Sequence, residues 1–263
     1  MKSKIQKTIL AAAVLVATFT SCTKTGTQGP AGANGSSGPS LTGTLEAYVD
    51  LFDQYGDLVS PASGVYVTCP TKTGTDSTAA SGMFTKSLTT GTYELDFAKT
   101  GYAAMKVPSI NFVGGGTQYV TAHIQMTQVP SYTVSAIAAA IGTSTVNPAV
   151  SVTVTPSATD SKPRKIICFF GSSNTVSNTP GNYLGYQVVT VAASATSASV
   201  NLATTGTLYP LGAESGSTIY VIAYPIAYNT SASTYADMAS GKTVFNNINI
   251  AGTSTVSSGV VVP

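Results

Sequence analysis

Between Ala80 and Tyr102 the chain alternates large apolar and polar residues. Tyr93, Leu95 and Phe97 interleave with Thr92, Glu94 and Asp96. A period of two sets the three apolar side chains on one face of a strand and the two carboxylates on the other. Thr90-Gly91 opens this strand and Thr100-Gly101 closes it. Just upstream, Ser81-Gly82 turns the chain into a second strand carrying Met83, Phe84 and Leu88. The expectation is a β-hairpin with one apolar face.

The same period runs on in both directions. Leu45, Ala47, Val49 and Leu51 alternate with Thr44, Glu46, Tyr48 and Asp50, and Val65, Val67 and Cys69 alternate with Tyr66 and Thr68. A short strand is expected near 107–112. After Gly114-Gly115-Gly116, Val120, Ala122, Ile124 and Met126 oppose Tyr119, Thr121, His123 and Gln125. Further on, Val150, Val152 and Val154 alternate with Ser151, Thr153 and Thr155, while 165–170 is apolar on both faces, as in a central strand. Strands are also expected at 186–191, 198–202 and 217–225, with 244–250 and 255–262 closing the second half. Short alternating strands separated by turns predict an all-β fold of two tandem antiparallel β-sandwiches, over 41–130 and 131–263.

The first 21 residues have another character. Lys2, Lys4 and Lys7 precede an apolar run from Ile9 to Ala17, then Thr18-Phe19-Thr20-Ser21-Cys22. This is the order of an export signal, and the run is shorter than the ~20 apolar residues that span a bilayer. With Cys22 first after the cut, it resembles a bacterial lipoprotein signal, although Phe19 stands where leucine is usual. The resemblance implies acylation of Cys22 and anchoring in a membrane through several acyl chains, as stable attachment requires. The alternative is ordinary cleavage with Cys22 an incidental thiol. Thr23, not an acidic residue, follows the cysteine, which favours the outer membrane over the inner one, with its periplasmic and surface faces both open. Glycines at 26, 29, 32, 35 and 38 form a five-triplet collagen-like repeat with two prolines. That is too short to hold three chains together, so 22–40 is expected to be a flexible, disordered tether.

Three of the 12 Lys and Arg lie before Cys22 and none of the 10 Asp and Glu do, leaving 9 against 10 and a net charge of −1 for the rest. No basic patch argues for nucleic acid. The one cluster, Lys162-Pro163-Arg164-Lys165, reads as a solvated loop before a strand. Cys69 and Cys168 fall in apolar strands in different halves and read as small core residues, not as a disulfide or zinc pair.

Several residues together carry a family resemblance. Gly43, Asp53-x-x-Gly56, Ala62, Val65, Val67, Gly82-x-Phe84, Leu88, Gly91-Thr-Tyr93-x-Leu95 and Gly101-Tyr102 look like the carboxypeptidase regulatory-like domain. The resemblance implies a transthyretin-like sandwich over 41–130, an accessory module without catalytic residues. In the second half, Leu211-Gly212 followed by a strand with Tyr220 near its start is similar to the tyrosine corner of fibronectin type III domains, an immunoglobulin-like sandwich.

Candidate chemistry is sparse. His123 is the one histidine, and alternation places it on a polar face, so a Ser-His-Asp site has a single possible base. Glu94 and Asp96 share a face as glycosidase carboxylates do, but polar groups also occupy that face in any amphipathic strand. Asp50, Asp53 and Asp57 surround a turn and are weak candidates for calcium, which takes six to eight oxygens. No cofactor motif is present. Tyr183 and Tyr186, and Tyr228 and Tyr235 around a polar loop, are candidates for stacking on sugars. Asp76-Ser77-Thr78 looks like an O-glycan acceptor of exported proteins. The expectation is a non-enzymatic lipid-anchored cell-envelope protein presenting binding or scaffolding modules to a protein or polysaccharide partner. Its alternatives are a glycan-binding outer-membrane lipoprotein and a pilin-like subunit donating the strand 255–262.

Overall fold

The computed structural model describes residues 40–263 apart from Thr121, Thr145 and Met238. The signal, Cys22 and the glycine-rich tether lie outside the described residues. What is described is all β apart from two short helical turns.

The first half contains β1 (Thr42–Phe52), β2 (Leu58–Val59), β3 (Tyr66–Thr68), β4 (Thr75–Ser77), β5 (Met83–Thr89), β6 (Gly91–Ala98), β7 (Met105–Phe112), β8 (Thr117–Tyr119) and β9 (Ile124–Thr127). One sheet is built on β1, with β5 and β2 along one edge and β8 and β9 along the other; the second runs β4-β3-β6-β7. Leu45, Ala47, Val49 and Leu51 are all buried, as their period requires. They meet Phe84, Leu88, Val65, Val67, Leu95 and Phe97 in one core.

Two expectations are corrected here. The strands around Gly91 do not form a hairpin: β5 pairs with β1, and β6 pairs with β3 and β7. Thr90 alone links them. Its amide donates to the Leu41 carbonyl and its hydroxyl to the Val113 carbonyl, fixing a corner where the chain crosses between sheets. Phe84 and Phe97 therefore meet edge-to-face from opposite layers, centroids 6.5 Å apart. Alternation dictates which face is buried in either arrangement, and says nothing about the neighbouring strand. The second correction concerns the strand expected over 119–126. It is split, because Tyr119 lies opposite Glu46 and Ile124 opposite Val49, five steps along one strand against three along the other. Ala122 and His123 are extruded to the surface by this bulge. Both segments also run parallel to β1, the exceptions to otherwise antiparallel pairing.

The second half contains β10 (Val134–Ile141), β11 (Ala149–Pro156), β12 (Arg164–Gly171), β13 (Gly185–Val191), β14 (Ala198–Ala203), β15 (Thr218–Ile226), β16 (Thr234–Ala236), β17 (Thr243–Phe245) and β18 (Val260–Val261). Sheet β10-β11-β14 faces sheet β13-β12-β15-β18 across a core that includes Val150, Val152, Val154, Ile166, Cys168 and Phe170. Burial there pushes the Cys168 thiol up to about 12, so it is inert packing. The other side chains of β12 and β15, among them Ile167, Phe169, Ile222 and Tyr224, form a second core with Phe245 and Ile248. That second face explains why 165–170 lacks a polar side.

The segment expected as a strand over 244–250 divides: Ile248 bridges Ile226 at the end of β15, with Asn249 N–H on the Pro225 carbonyl at 3.0 Å. Its first residues form a separate hairpin, β16–β17, over the second core. Tyr220 makes no corner hydrogen bond among the described residues; it lies on the face of β15 that packs toward this second core. The 255–262 segment is seated along β15, with Ser257 N–H on the Val221 carbonyl and Val262 N–H on the Ser217 carbonyl, each at 2.8 Å.

The halves are joined by a polar seam. Tyr55 donates to Asp160 at 2.7 Å, Lys162 donates to Asp57 at 2.7 Å, and Lys162 lies 4.9 Å over the Tyr55 ring. Farther along, Ser233 N–H meets the Gln125 carbonyl and Asn246 donates to the Ala104 carbonyl. Of the cluster 162–165, Lys162 and Pro163 are exposed ahead of β12 as expected, but Arg164, the first residue of that strand, is not solvated. Arg164 is 2% exposed, donates to the Ala158 and Ala195 carbonyls and packs over Tyr132.

Candidate functional site

The second core comes to the surface beside Tyr186. Phe169, fully buried, is ringed by Tyr183, Tyr224, Phe245 and Tyr186 at centroid distances of 4.9, 5.7, 5.7 and 6.0 Å. Tyr186 is the outermost and 40% exposed. It also packs edge-to-face on Phe245 at 4.8 Å and on Tyr183 at 6.4 Å, so its ring is held before any ligand arrives. β13 carries it outward because neighbouring positions alternate: Gly185 is buried while Tyr186 is exposed.

Leu211, half exposed, faces this ring across Gly185. It comes from the helical turn Tyr209–Leu211, ended by Gly212 at φ +89°. A Cβ at Gly185 would lie 2.5 Å from Leu211 Cδ1 and 2.7 Å from Phe170 Cζ, so glycine is what lets the leucine close down. Tyr186, Leu211, Gly185 and Thr243 line an apolar cleft of about 330 Å3. Through Tyr183, Leu184 and Lys242 it continues into a polar trough of about 210 Å3 lined by Ser172, Ser173, Thr175 and Asn182. Ser173 and Thr175 hydroxyls are bonded at 2.9 Å, and Asn182 donates to Ser177 at 3.2 Å, which presets these side chains. An aromatic face beside preset hydroxyls and an amide suits a ligand that is apolar on one face and rich in hydroxyls at its edges.

The four tyrosines have different places. Tyr183 is 4% exposed, donates to the Thr243 carbonyl at 2.9 Å, and is the floor beneath Tyr186; burial raises its hydroxyl pKa. Tyr228 is half-buried at the seam, its amide on the Gln54 carbonyl and Lys165 4.4 Å over its ring. Tyr235 is half-buried in β16 opposite Val244. Only Tyr183 and Tyr186 are brought together. Sequence reasoning found that pair but missed Leu211 and Lys242, which come from distant segments and carried no motif.

The acidic candidates do not converge. Asp50 pairs with His123 Nδ1 at 2.9 Å; Asp53 caps the turn through the Tyr55 and Asp57 amides; Asp57 holds Lys162. Among the described residues no three acidic, histidine or cysteine side chains group as a metal site. Glu94 and Asp96 are both bridged by Lys106, at 3.1 and 3.3 Å. His123 stacks on Tyr48 at 5.4 Å and makes no hydrogen bond to a serine among the described residues. In Asp76-Ser77-Thr78, Ser77 is exposed, whereas Thr78 is buried and donates to the Ala62 carbonyl.

No protein-family model matches this chain, and no curated protein matches it. Among solved structures it is similar to a candidate carbohydrate binding protein from Bacteroides uniformis, at 16% identity over 84% of this chain and 99% of that one, TM-score 0.30. DUF3823 family proteins resemble it too. That from Parabacteroides merdae is 13% identical over 83% of this chain and 98% of that one, TM-score 0.31. That from Bacteroides ovatus is 14% identical over 86% and 100%, TM-score 0.27. At these identities and TM-scores the likenesses transfer no function to this chain.

Proposed function

We propose that this chain is a non-enzymatic, lipid-anchored protein of the bacterial cell envelope whose second sandwich binds polysaccharide. Acylated Cys22 and the glycine-rich tether hold it at the outer membrane. The first sandwich, of the carboxypeptidase regulatory-like kind, supports the second, fibronectin-like one. The observation that carries the reading is the preset, exposed ring of Tyr186 beside Leu211, contiguous with the hydroxyl-lined trough. Strand donation is the weaker reading, since the 255–262 segment already bonds along β15 of its own sandwich.

Polysaccharide pull-down and a glycan array on the full-length protein test this function. Tyr186→Ala is expected to weaken binding roughly tenfold, the worth of one aromatic contact, while His123→Ala leaves it unchanged. Unchanged binding after Tyr186→Ala, or no glycan bound at all, overturns the reading. Anchoring is tested by mass of the mature N-terminus and membrane partitioning. Cys22→Ala is expected to release the protein into the soluble fraction.

A further inference from the structure

The groove contains one charged side chain, and it is held in place. Asp237 N–H bonds the Lys242 carbonyl at 2.8 Å and Gly241 N–H bonds the Asp237 carbonyl at 2.8 Å, closing the β16–β17 hairpin so that Lys242 is set at its mouth. Its ammonium lies 4.5 Å from the Tyr183 ring centroid and donates to the Tyr183 carbonyl. A lysine held by a cation–π contact and a backbone acceptor has given up much of the side-chain freedom that usually weakens surface lysines as ligands.

An ammonium has three N–H donors. Lys242 uses one on Tyr183, and the others have no protein partner among the described residues. No carboxylate lies within 4 Å of it: the ion pairs of the described residues involve Lys86, Lys106, Lys162 and His123. No Asp or Glu lines the cleft or the trough. Asp237 is the acid of the same hairpin, and its carboxylate is occupied by Ser240, accepting from the amide at 2.8 Å and the hydroxyl at 2.5 Å. Lys242 is also where the apolar and polar halves of the groove meet.

We infer that the groove selects an anionic polysaccharide, with Lys242 binding the acidic substituent of a sugar ring stacked on Tyr186. This rests on the polysaccharide reading above and narrows it to acidic sugars. Ring stacking supplies contact that a neutral sugar would share; the fixed ammonium supplies the discrimination, through a charge-assisted hydrogen bond.

The test compares oligogalacturonate with its fully methyl-esterified form on the full-length protein, by calorimetry at low and high salt. The two probes have the same sugar backbone and differ in charge. The acid form is expected to bind about tenfold tighter, the worth of one hydrogen bond to a charged group, and to lose that advantage in high salt. Lys242→Gln should abolish the preference and Lys242→Arg restore most of it. Sulfated dextran serves as a second anionic arm: tight binding there, with oligogalacturonate weak, would retain the inference and assign sulfate as the substituent. Equal binding of the acid and ester forms, with sulfated dextran no tighter than dextran, overturns the anionic selection and leaves polysaccharide binding standing. Polyglutamate bound as tightly as oligogalacturonate shows attraction to charge without sugar recognition and overturns both, as does an array with no bound glycan of any kind.

Discussion

The two sandwiches use their charges and rings in opposite ways. In the first, charges cluster on strand faces and satisfy one another: Lys106 bridges Glu94 and Asp96, Lys86 meets Asp76, and His123 meets Asp50. The second makes no ion pair among its own described residues; its Lys162 reaches across to Asp57 of the first. It buries one sheet on both faces and lets the second core surface at Tyr186. A strand face whose polar groups are mutually satisfied has little left to offer a ligand. An aromatic cluster that breaks the surface beside an unpaired ammonium keeps both contact area and charge available.

The largest test of this contrast replaces the central ring of each core. Phe97→Ala and Phe169→Ala should each cost about 3–5 kcal/mol, the usual range for a buried phenylalanine. Urea unfolding measures both. At a denaturant-free temperature where both remain folded, Phe169→Ala should lose glycan binding, because it removes the support of Tyr183 and Tyr186, and Phe97→Ala should keep it. Equal loss in both would erase the distinction between the regions.

Gly82→Ala comes next. Gly82 has φ +82°, and a Cβ there would lie 2.2 Å from the Val49 carbonyl oxygen. Left-handed backbone strain alone costs roughly 1–3 kcal/mol, and the clash with β1 adds to it. Thermal unfolding should show the loss with the groove's binding intact in the folded protein.

The seam should matter less. Tyr55 donates to Asp160, holding the Asp160 carboxyl below its ordinary range, while this bond and then burial raise the tyrosine. A depressed carboxyl contributes stability that is present above its unfolded value near 3.8 and is lost as pH falls through the folded one. The raised tyrosine contributes stability that is present below its unfolded value near 10.0 and is lost as pH rises through the folded one. Tyr55→Phe should remove the alkaline limb and shrink the acid one, which the Lys162 amide also supports. Its cost near neutrality should be under about 1 kcal/mol, because the pair is screened by solvent. A stability-against-pH profile unchanged by Tyr55→Phe would show that the bond joins nothing of consequence. Tyr186→Ala should cost about 1 kcal/mol of stability, the worth of its edge-to-face packing on Phe245 and Tyr183, well short of the ~3–5 kcal/mol of a buried phenylalanine, while weakening binding. A large loss of stability would make Tyr186 a core residue and remove it as a binding platform.

Much of the scaffold could be read from the sequence. Alternation in Leu45 to Leu51 and in Val150 to Val154 named the buried faces, and the unbroken apolar run at 165–170 marked a strand covered on both sides. Arg164 was misread because a short basic cluster looks solvated until the Ala158 and Ala195 carbonyls are seen to receive its guanidinium. The hairpin expected at Gly91 failed for a related reason: Thr90 turns a corner that depends on Leu41 and Val113, residues distant along the chain.

The sequence by itself determined which face of each regular strand is buried, because the pleat alternates sides whatever its neighbour is. Only the tertiary structure decided which strands pair, that a bulge falls just before Ile124, and that Leu211, Lys242 and Tyr186 meet in one groove. Those outcomes depend on contacts between segments far apart in the chain, and a local period has no means of recording them.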